Sequence, residues 1–427
     1  MPPSDDYRFE LIASEFSFPT SLTFDDEGVP YVAESGLSFG EAEPGGRIWR
    51  VGPGRERTLL AGGLRAPVSG LTFHQGSFYI SEGGYPARIS RLDEKGVHVL
   101  LDNLPGPGRY HTNMVAFGPD GKMYFSQGAM TNSGIVGLDA YESGWLRRQP
   151  EAHDLPGYDV VLTGVNAETR NPLSDDPNDQ ACTGAFVPFG TPTEPGQRIA
   201  AVLPCTAAVM RCNPDGSELE LVAWGLRNAY GLGFTTDGRL LATERGPDEQ
   251  GSRPIGHAPD LLFEVKEGAW YGWPDFIGGV PVTDMEYSPA RGEPPSFLLA
   301  NHETLPPPEP ALLRFPPHAG VAKFDVAPPD APRWAGQLFV ALFGDEEPMS
   351  VPFNPPVGRT VLRVDPIDWS LHPLFALTPL TRPIDVRFGP DPDTLYILDF
   401  GHFEMEAEQG VVADAGGGKL WRVEIKG

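Results

Sequence analysis

The chain has 427 residues, with 32 basic against 58 acidic side chains and a formal net charge of −26. A pI near 4.6 leaves no basic footprint for nucleic acid and no polybasic patch for anionic lipid. Apolar residues at 40% can build a sizeable core, and 51 glycines with 47 prolines argue for many short strands and turns and against a helical bundle. No uninterrupted apolar run approaches the roughly 18 residues of a membrane-spanning helix, so no membrane insertion is expected. The opening Met1-Pro-Pro-Ser-Asp-Asp shows no charged n-region or apolar h-region. Localisation is left open: cytoplasmic, or extracytoplasmic after removal of a leader.

One pattern recurs six times along the chain: an apolar strand ending in Phe, a Gly/Asp/Pro turn, and a second strand with an aromatic or apolar residue. It begins at Ser21 (SLTFDDEGVPYVAE), Gly70 (GLTFHQGSFYISE), Met114 (MVAFGPDGKMYFSQ), Gly231 (GLGFTTDGRLLATE), Val321 (VAKF…GQLFVAL) and Asp385 (DVRFGPDPDTLYILD). A third strand follows each, as in GGRIWRVGPG, ARISRLDEKG and GKLWRVEIKG. Alternating β-favouring residues around Asp-Gly turns read as hairpins. Six such units predict an all-β fold, a single six-bladed β-propeller over residues 1–427, with strands A to D in each blade.

The corresponding second-strand positions are Tyr31, Tyr79, Tyr124, Leu241, Phe339 and Tyr396. Two of the gaps between them are long. They predict one insertion at about 129–204, after strand B of blade 3, and another at about 278–317, between blades 4 and 5. The first is loop by composition, rich in Pro, Asn, Asp and Thr; the second should be a surface connection. Trp270-Tyr-Gly-Trp-Pro should pack under that connection, and Asp175-Asp-Pro-Asn-Asp reads as a solvated turn without EF-hand spacing. Cys182, Cys205 and Cys212 fit no zinc template. Cys182 and Cys205 could pair in an oxidising compartment, and Cys212 reads as a thiol buried in a strand.

Strands of a blade alternate in direction, so the start of strand A and the end of strand B share one face. Six residues before each strand-A Phe lie Phe18, Pro67, His111, Asn228, His318 and Arg382, a ring around the mouth of the central channel. A second ring at the ends of the B strands holds Glu34, Glu82, Gln127, Glu244, Leu342 and Asp399. Convergent polar groups in a concavity are the default site. The acidic ring has a second reading: such carboxylates can accept backbone hydrogen bonds from the neighbouring turn. His111 and His318 can likewise be satisfied buried histidines. Arg227-Asn228, ahead of an apolar strand, is costly in a channel unless something polar or anionic sits there.

Four segments, WGLRNAYGLGF…GRLLATERGP from Trp224, HTNMVAFGPDGKMYFSQG from His111, WYGWPDF from Trp270 and RPIDVRFGPD…LYILD from Arg382, resemble the soluble PQQ-dependent glucose/sorbosone (aldose) dehydrogenases. The similarity is nearest to the sorbosone-dehydrogenase-like branch, which shares the long blade-3 insertion. The resemblance spans nearly the whole chain and implies a calcium- and PQQ-dependent oxidoreductase acting on an aldose or related sugar. It implies His111 as the base that takes the anomeric proton and Arg227 with Asn228 as the pair that holds the quinone oxygens. Arg382 would grip a PQQ carboxylate, and the carbonyls of Gly246 and Pro247 would hold calcium, with Glu244 a further metal candidate. Three other family positions fall on Arg65, Gly344 and Ile384, which implies a different carboxylate clamp; Arg65 and His318 are the candidates for it. Partners are then a small sugar or polyol and an external electron acceptor, since no Cys-x-x-Cys-His haem motif is present. Two other classes remain open from the residues: a metal-dependent sugar lactonase using Glu34, Glu244, Asn228 and Asp399, and a non-catalytic ligand-binding propeller that has lost PQQ contacts.

Overall fold

Each repeat folds as an antiparallel hairpin closed by a tight turn. In the first, Pro19–Phe24 pairs with Pro30–Glu34. Gly28 closes the turn at φ 78°, where a side chain would be strained, and its N–H reaches Asp25 O at 3.0 Å. The computed structural model describes residues 7–425, apart from 107, 291–292, 332, 347–356, 376–377 and 407–409.

Six sheets make the blades, five of them four-stranded, from the axis outward; the blade-3 sheet gains a fifth short strand, Ala269–Trp270, parallel to Glu220–Trp224. Blade 1 is Pro19–Phe24, Pro30–Glu34, Gly46–Val51 and Arg57–Leu64; blade 2 is Val68–His74, Ser77–Glu82, Ala87–Asp93 and Gly96–Leu104. Blade 3 is Thr112–Phe117, Met123–Gln127, Ala208–Cys212 and Glu220–Trp224; blade 4 is Ala229–Phe234, Leu240–Glu244, Pro259–Glu264 and Leu313–Pro317. Blade 5 is Val321–Val326, Leu338–Leu342, Thr360–Val364 and Leu371–Pro373. Blade 6 takes Pro383–Phe388, Thr394–Asp399 and Gly418–Ile425, and its outer strand is Tyr7–Phe16 from the other end of the chain. That strand pairs antiparallel with Gly418–Ile425, Phe9 opposite Val423, and closes the ring.

The A strands of neighbouring blades share no ladder, so side chains join them. Thr20 Oγ1 donates to Val68 O at 2.7 Å, Thr72 Oγ1 to Val115 O at 2.6 Å and Thr243 Oγ1 to Ala322 O at 2.6 Å. Asn113 Nδ2 donates to Ala229 O at 3.3 Å. Asp325 accepts from Phe388 N and Asp385 from Leu22 N, both at 2.8 Å. Every blade junction thus carries at least one such bond.

Lys323 spans the axis. It is fully buried, and its Nζ donates to Thr20 O and Ser69 O, from blade 5 to blades 1 and 2. Burial pushes its pKa down to about 7; a neutral amine has two N–H groups for those two carbonyls. The insertions depart in part from expectation. The first carries two one-turn helices, Leu138–Glu142 and Trp145–Arg148, and the hairpin Asn166–Arg170 with Gln180–Gly184. The second lies inside blade 4, because Leu313–Pro317 pairs with Pro259–Glu264. Trp270 is buried there, stacked on Trp224 with ring centroids 6.4 Å apart and bridged to Pro308. All three cysteines are free thiols, so Cys182 and Cys205 do not pair. Cys182 sits in the insertion hairpin, whereas Cys205 is buried in the blade-3 core, where desolvation raises it to about 12.

Lys323 sets a pH dependence. Its folded value of about 7 lies below the ordinary 10.5, so the unfolded chain binds the extra proton between these limits. Stability should therefore rise with pH from about 7 towards 10, by at most about 1.4 kcal/mol per unit from this group. Denaturant unfolding across that range should show the rise, and Lys323→Met should abolish it.

Candidate active site at the channel mouth

The acidic ring is chiefly structural. Glu34 accepts from Ser17 N at 2.7 Å, Glu82 from Arg65 N at 2.6 Å, and Glu244 from Arg227 N at 2.9 Å. Asp399 accepts from Arg382 N at 3.0 Å and Thr381 N at 2.6 Å. Each carboxylate caps the turn that leads into strand A and so fixes the residues of the other ring. Burial drives Glu244 up to about 8, with its Oε2 unpartnered.

Arg227, 1% exposed, is the centre of the arrangement. Its Nε donates to Asn132 O at 2.9 Å, and Nη1 to Arg245 O and Gly246 O, both at 2.7 Å. Nη2 donates to Asn132 Oδ1 at 2.8 Å and to the Tyr110 hydroxyl. A guanidinium has five N–H groups, and all five are used. Arg227 therefore builds the mouth and keeps no donor for a ligand. Arg382 is fully buried and bonded through three N–H groups to Phe343 O, Asp345 O and Glu404, while its buried Nε has no hydrogen-bond partner among the described residues. Arg65 turns towards blade 2, with its guanidinium on Pro86 O and 3.9 Å from Asp102.

Other expected residues do face one another. Asn228 accepts from Asn113 Nδ2 at 3.0 Å, and its own amide N–H groups have no acceptor among the described residues. Asp248 lies 3.7 Å from both His318 Nδ1 and Arg227 Nη2. His111, at the start of strand A in blade 3, has a buried Nδ1 without a hydrogen-bond partner. Desolvation lowers its pKa to about 4, so the imidazole is neutral at pH 7.

Several mouth residues escaped sequence reading. The Tyr110 hydroxyl receives Arg109 Nε at 3.2 Å and Arg227 Nη2, so its own proton is left to donate. Phe39, Phe400, Phe403 and Phe343 join Phe18, already expected in the ring, in an aromatic wall over blades 1, 5 and 6, with Phe18–Phe400 centroids at 5.4 Å. Arg245 crosses from the end of strand B in blade 4 to Val321 O in blade 5. Tyr110 and Arg245 adjoin His111 and Glu244 in sequence; reading one residue per turn passed over them.

No protein-family description matches this chain, and no curated protein matches it. Solved structures do. A putative oxidoreductase (glucose dehydrogenase) of Thermus thermophilus superposes at TM-score 0.56 with 18% identity, over 98% of this chain and 99% of that one. The PQQ-bound aldose sugar dehydrogenase of Streptomyces coelicolor gives 0.56 and 16%, over 99% of both chains. The apo soluble aldose sugar dehydrogenase of Escherichia coli gives 0.55 and 14%, over 98% and 100%. This propeller is the fold those dehydrogenases share. At such identities the likeness establishes the fold, and chemistry has to be argued from the residues.

Gly246 O, expected as a calcium ligand, accepts from Arg227 Nη1 at 2.7 Å with one of its two lone pairs. Among the described residues no group of three or more His, Cys, Asp or Glu side chains could hold a metal ion. Titrating metal-stripped protein with calcium tests the carbonyl site: stoichiometric stabilisation supports it, and an unchanged melting temperature discards it. Arg227→Lys offers three donors to five acceptors and should cost about 3 kcal/mol in chemical denaturation.

Proposed function

We propose that the chain is an oxidoreductase of the quinone-dependent sugar-dehydrogenase type, oxidising a hydroxyl of an aldose or related sugar. The reading rests on one observation: a neutral, unpartnered imidazole, His111, stands at the mouth of a propeller shared with sugar dehydrogenases. A base must be unprotonated at working pH and free to take a proton. His111 meets both conditions and accepts the proton of the sugar hydroxyl.

PQQ is compatible with the donors present. Asn228 keeps free amide N–H groups and Tyr110 keeps its proton, while Arg109 lies beside them, only loosely held by Asp139 at 4.0 Å. These three groups would hold the quinone, which supplies the two-electron acceptor when bound. The aromatic wall and Tyr110 exclude water from one side of the mouth, and Arg227 holds Tyr110 in place. Electrons then leave to an external acceptor. A lactonase reading is left with few ligands, because Glu34 and Asp399 are engaged with backbone N–H groups and Glu244 keeps only its Oε2.

Dye reduction by protein loaded with PQQ, over an aldose panel, tests the proposal. His111→Ala should lower kcat/KM by about 10²–10⁴-fold with little change in melting temperature, since the ring makes no hydrogen bond. The free-enzyme profile should climb with pH through about 4 and stay level to neutrality, because only the neutral ring acts. Turnover indifferent to His111, or protein that takes up no quinone, would sink the reading and leave a non-catalytic binding propeller.

A further inference from the structure

We propose that Arg245 is the carboxylate-binding residue of the mouth, receiving an acid group from the quinone or from an acidic sugar such as a uronate. The other two arginines at the axis are out of a ligand's reach: Arg227 has every N–H engaged, and the unpartnered Nε of Arg382 is sealed from solvent. Arg227 has five acceptors for five N–H groups, and Arg382 is fully buried against Phe343 O, Asp345 O and Glu404. Arg245 differs. Its Nε is held by Val321 O at 3.2 Å and one Nη1 N–H by Glu346 at 3.4 Å. Its remaining N–H groups have no acceptor among the described residues, and the side chain is 23% exposed.

The guanidinium is also held in position. It lies 5.4 Å from the ring centroids of both Tyr230 and Phe343. Stacking and the Val321 bond fix its plane, so little side-chain freedom is lost when a ligand arrives. Glu346 is a part-exposed counter-ion at 3.4 Å, weak enough for a ligand carboxylate to replace it. A planar fork with free N–H groups suits a carboxylate in two-point contact. Arg245 thereby takes the place of the clamp positions that fall here on Gly344 and Ile384.

The inference rests on the oxidoreductase reading only for the two sources of the acid group, and its test separates them. Wild type, Arg245→Gln and Arg245→Lys are titrated with PQQ by absorbance, and with glucuronate and glucose by thermal shift. Arg245→Gln should weaken the carboxylate-bearing ligand about 10- to 100-fold; Arg245→Lys should recover part of the loss, and any glucose response should be unaffected. Weaker quinone binding alone assigns the acid group to the cofactor; weaker glucuronate binding with quinone uptake intact assigns it to the substrate. Binding of both within two-fold of wild type in Arg245→Gln overturns the proposal, as does wild-type protein that binds neither. If Arg245→Gln fails to fold, Arg245→Lys decides: wild-type affinity for both ligands overturns the proposal, and weakened binding of either sustains it. Loss of turnover in His111→Ala alongside an indifferent Arg245 would keep the oxidoreductase and discard this role. Arg245-dependent glucuronate binding without sugar turnover would do the reverse.

Discussion

The propeller depends on a constraint at its narrowest part. Inner strands of adjacent blades splay apart and cannot share a backbone ladder, yet their peptide groups are buried and must be satisfied. Thr20, Thr72, Asn113, Thr243, Asp325 and Asp385 meet the need, one at each junction. Lys323 adds a tie straight across the axis. The residues that begin each strand A inherit that rigidity, and the mouth is assembled from them.

The same logic explains why polar groups at the mouth divide into two sorts. A carboxylate one strand away caps the turn before strand A in blades 1, 2, 4 and 6. Arg227 and Arg382 complete the capping with carbonyl contacts. Among the described residues, the groups left unengaged include His111, the Asn228 amide, the Tyr110 proton and part of Arg245, with Glu244 Oε2 and the sealed Arg382 Nε beside them. In a chain of net charge −26, a guanidinium with one part-exposed counter-ion and N–H groups to spare at a concave centre is the exception, and exceptions of that kind mark where ligands go.

Much of the fold was legible in the sequence because a hairpin is a local object. The period-2 alternation and the turn glycines name strands A to C of each blade without any long-range information. The outer strands were harder. Tyr7–Phe16 belongs to blade 6 across the entire chain, and Leu313–Pro317 returns to blade 4 after a long excursion; neither pairing has a local signature. At the site, the positions of His111, Asn228 and His318 follow from the repeat register. What Arg227 and Arg382 are bonded to does not, since Asn132, Gly246, Phe343 and Glu404 come from loops whose paths no repeat predicts. Lys323, in an otherwise apolar strand, was a visible irregularity whose partners lay over 250 residues away.

Closure by Tyr7–Phe16 has a consequence for how the molecule comes into being. This strand precedes every other blade strand in chain order, and its partner Gly418–Ile425 follows them all. Until the two pair, blade 6 lacks its edge, and the bond from Asp385 to Leu22 N that joins it to blade 1 has no second half. Blades 1 to 5 can form in order as the chain emerges, each from neighbouring sequence, but the ring stays an open arc. The mouth draws on blade 1 as well as blades 3 to 6, so it cannot assume its final shape before that last zip. Assembly of the mouth is thus tied to closure of the ring.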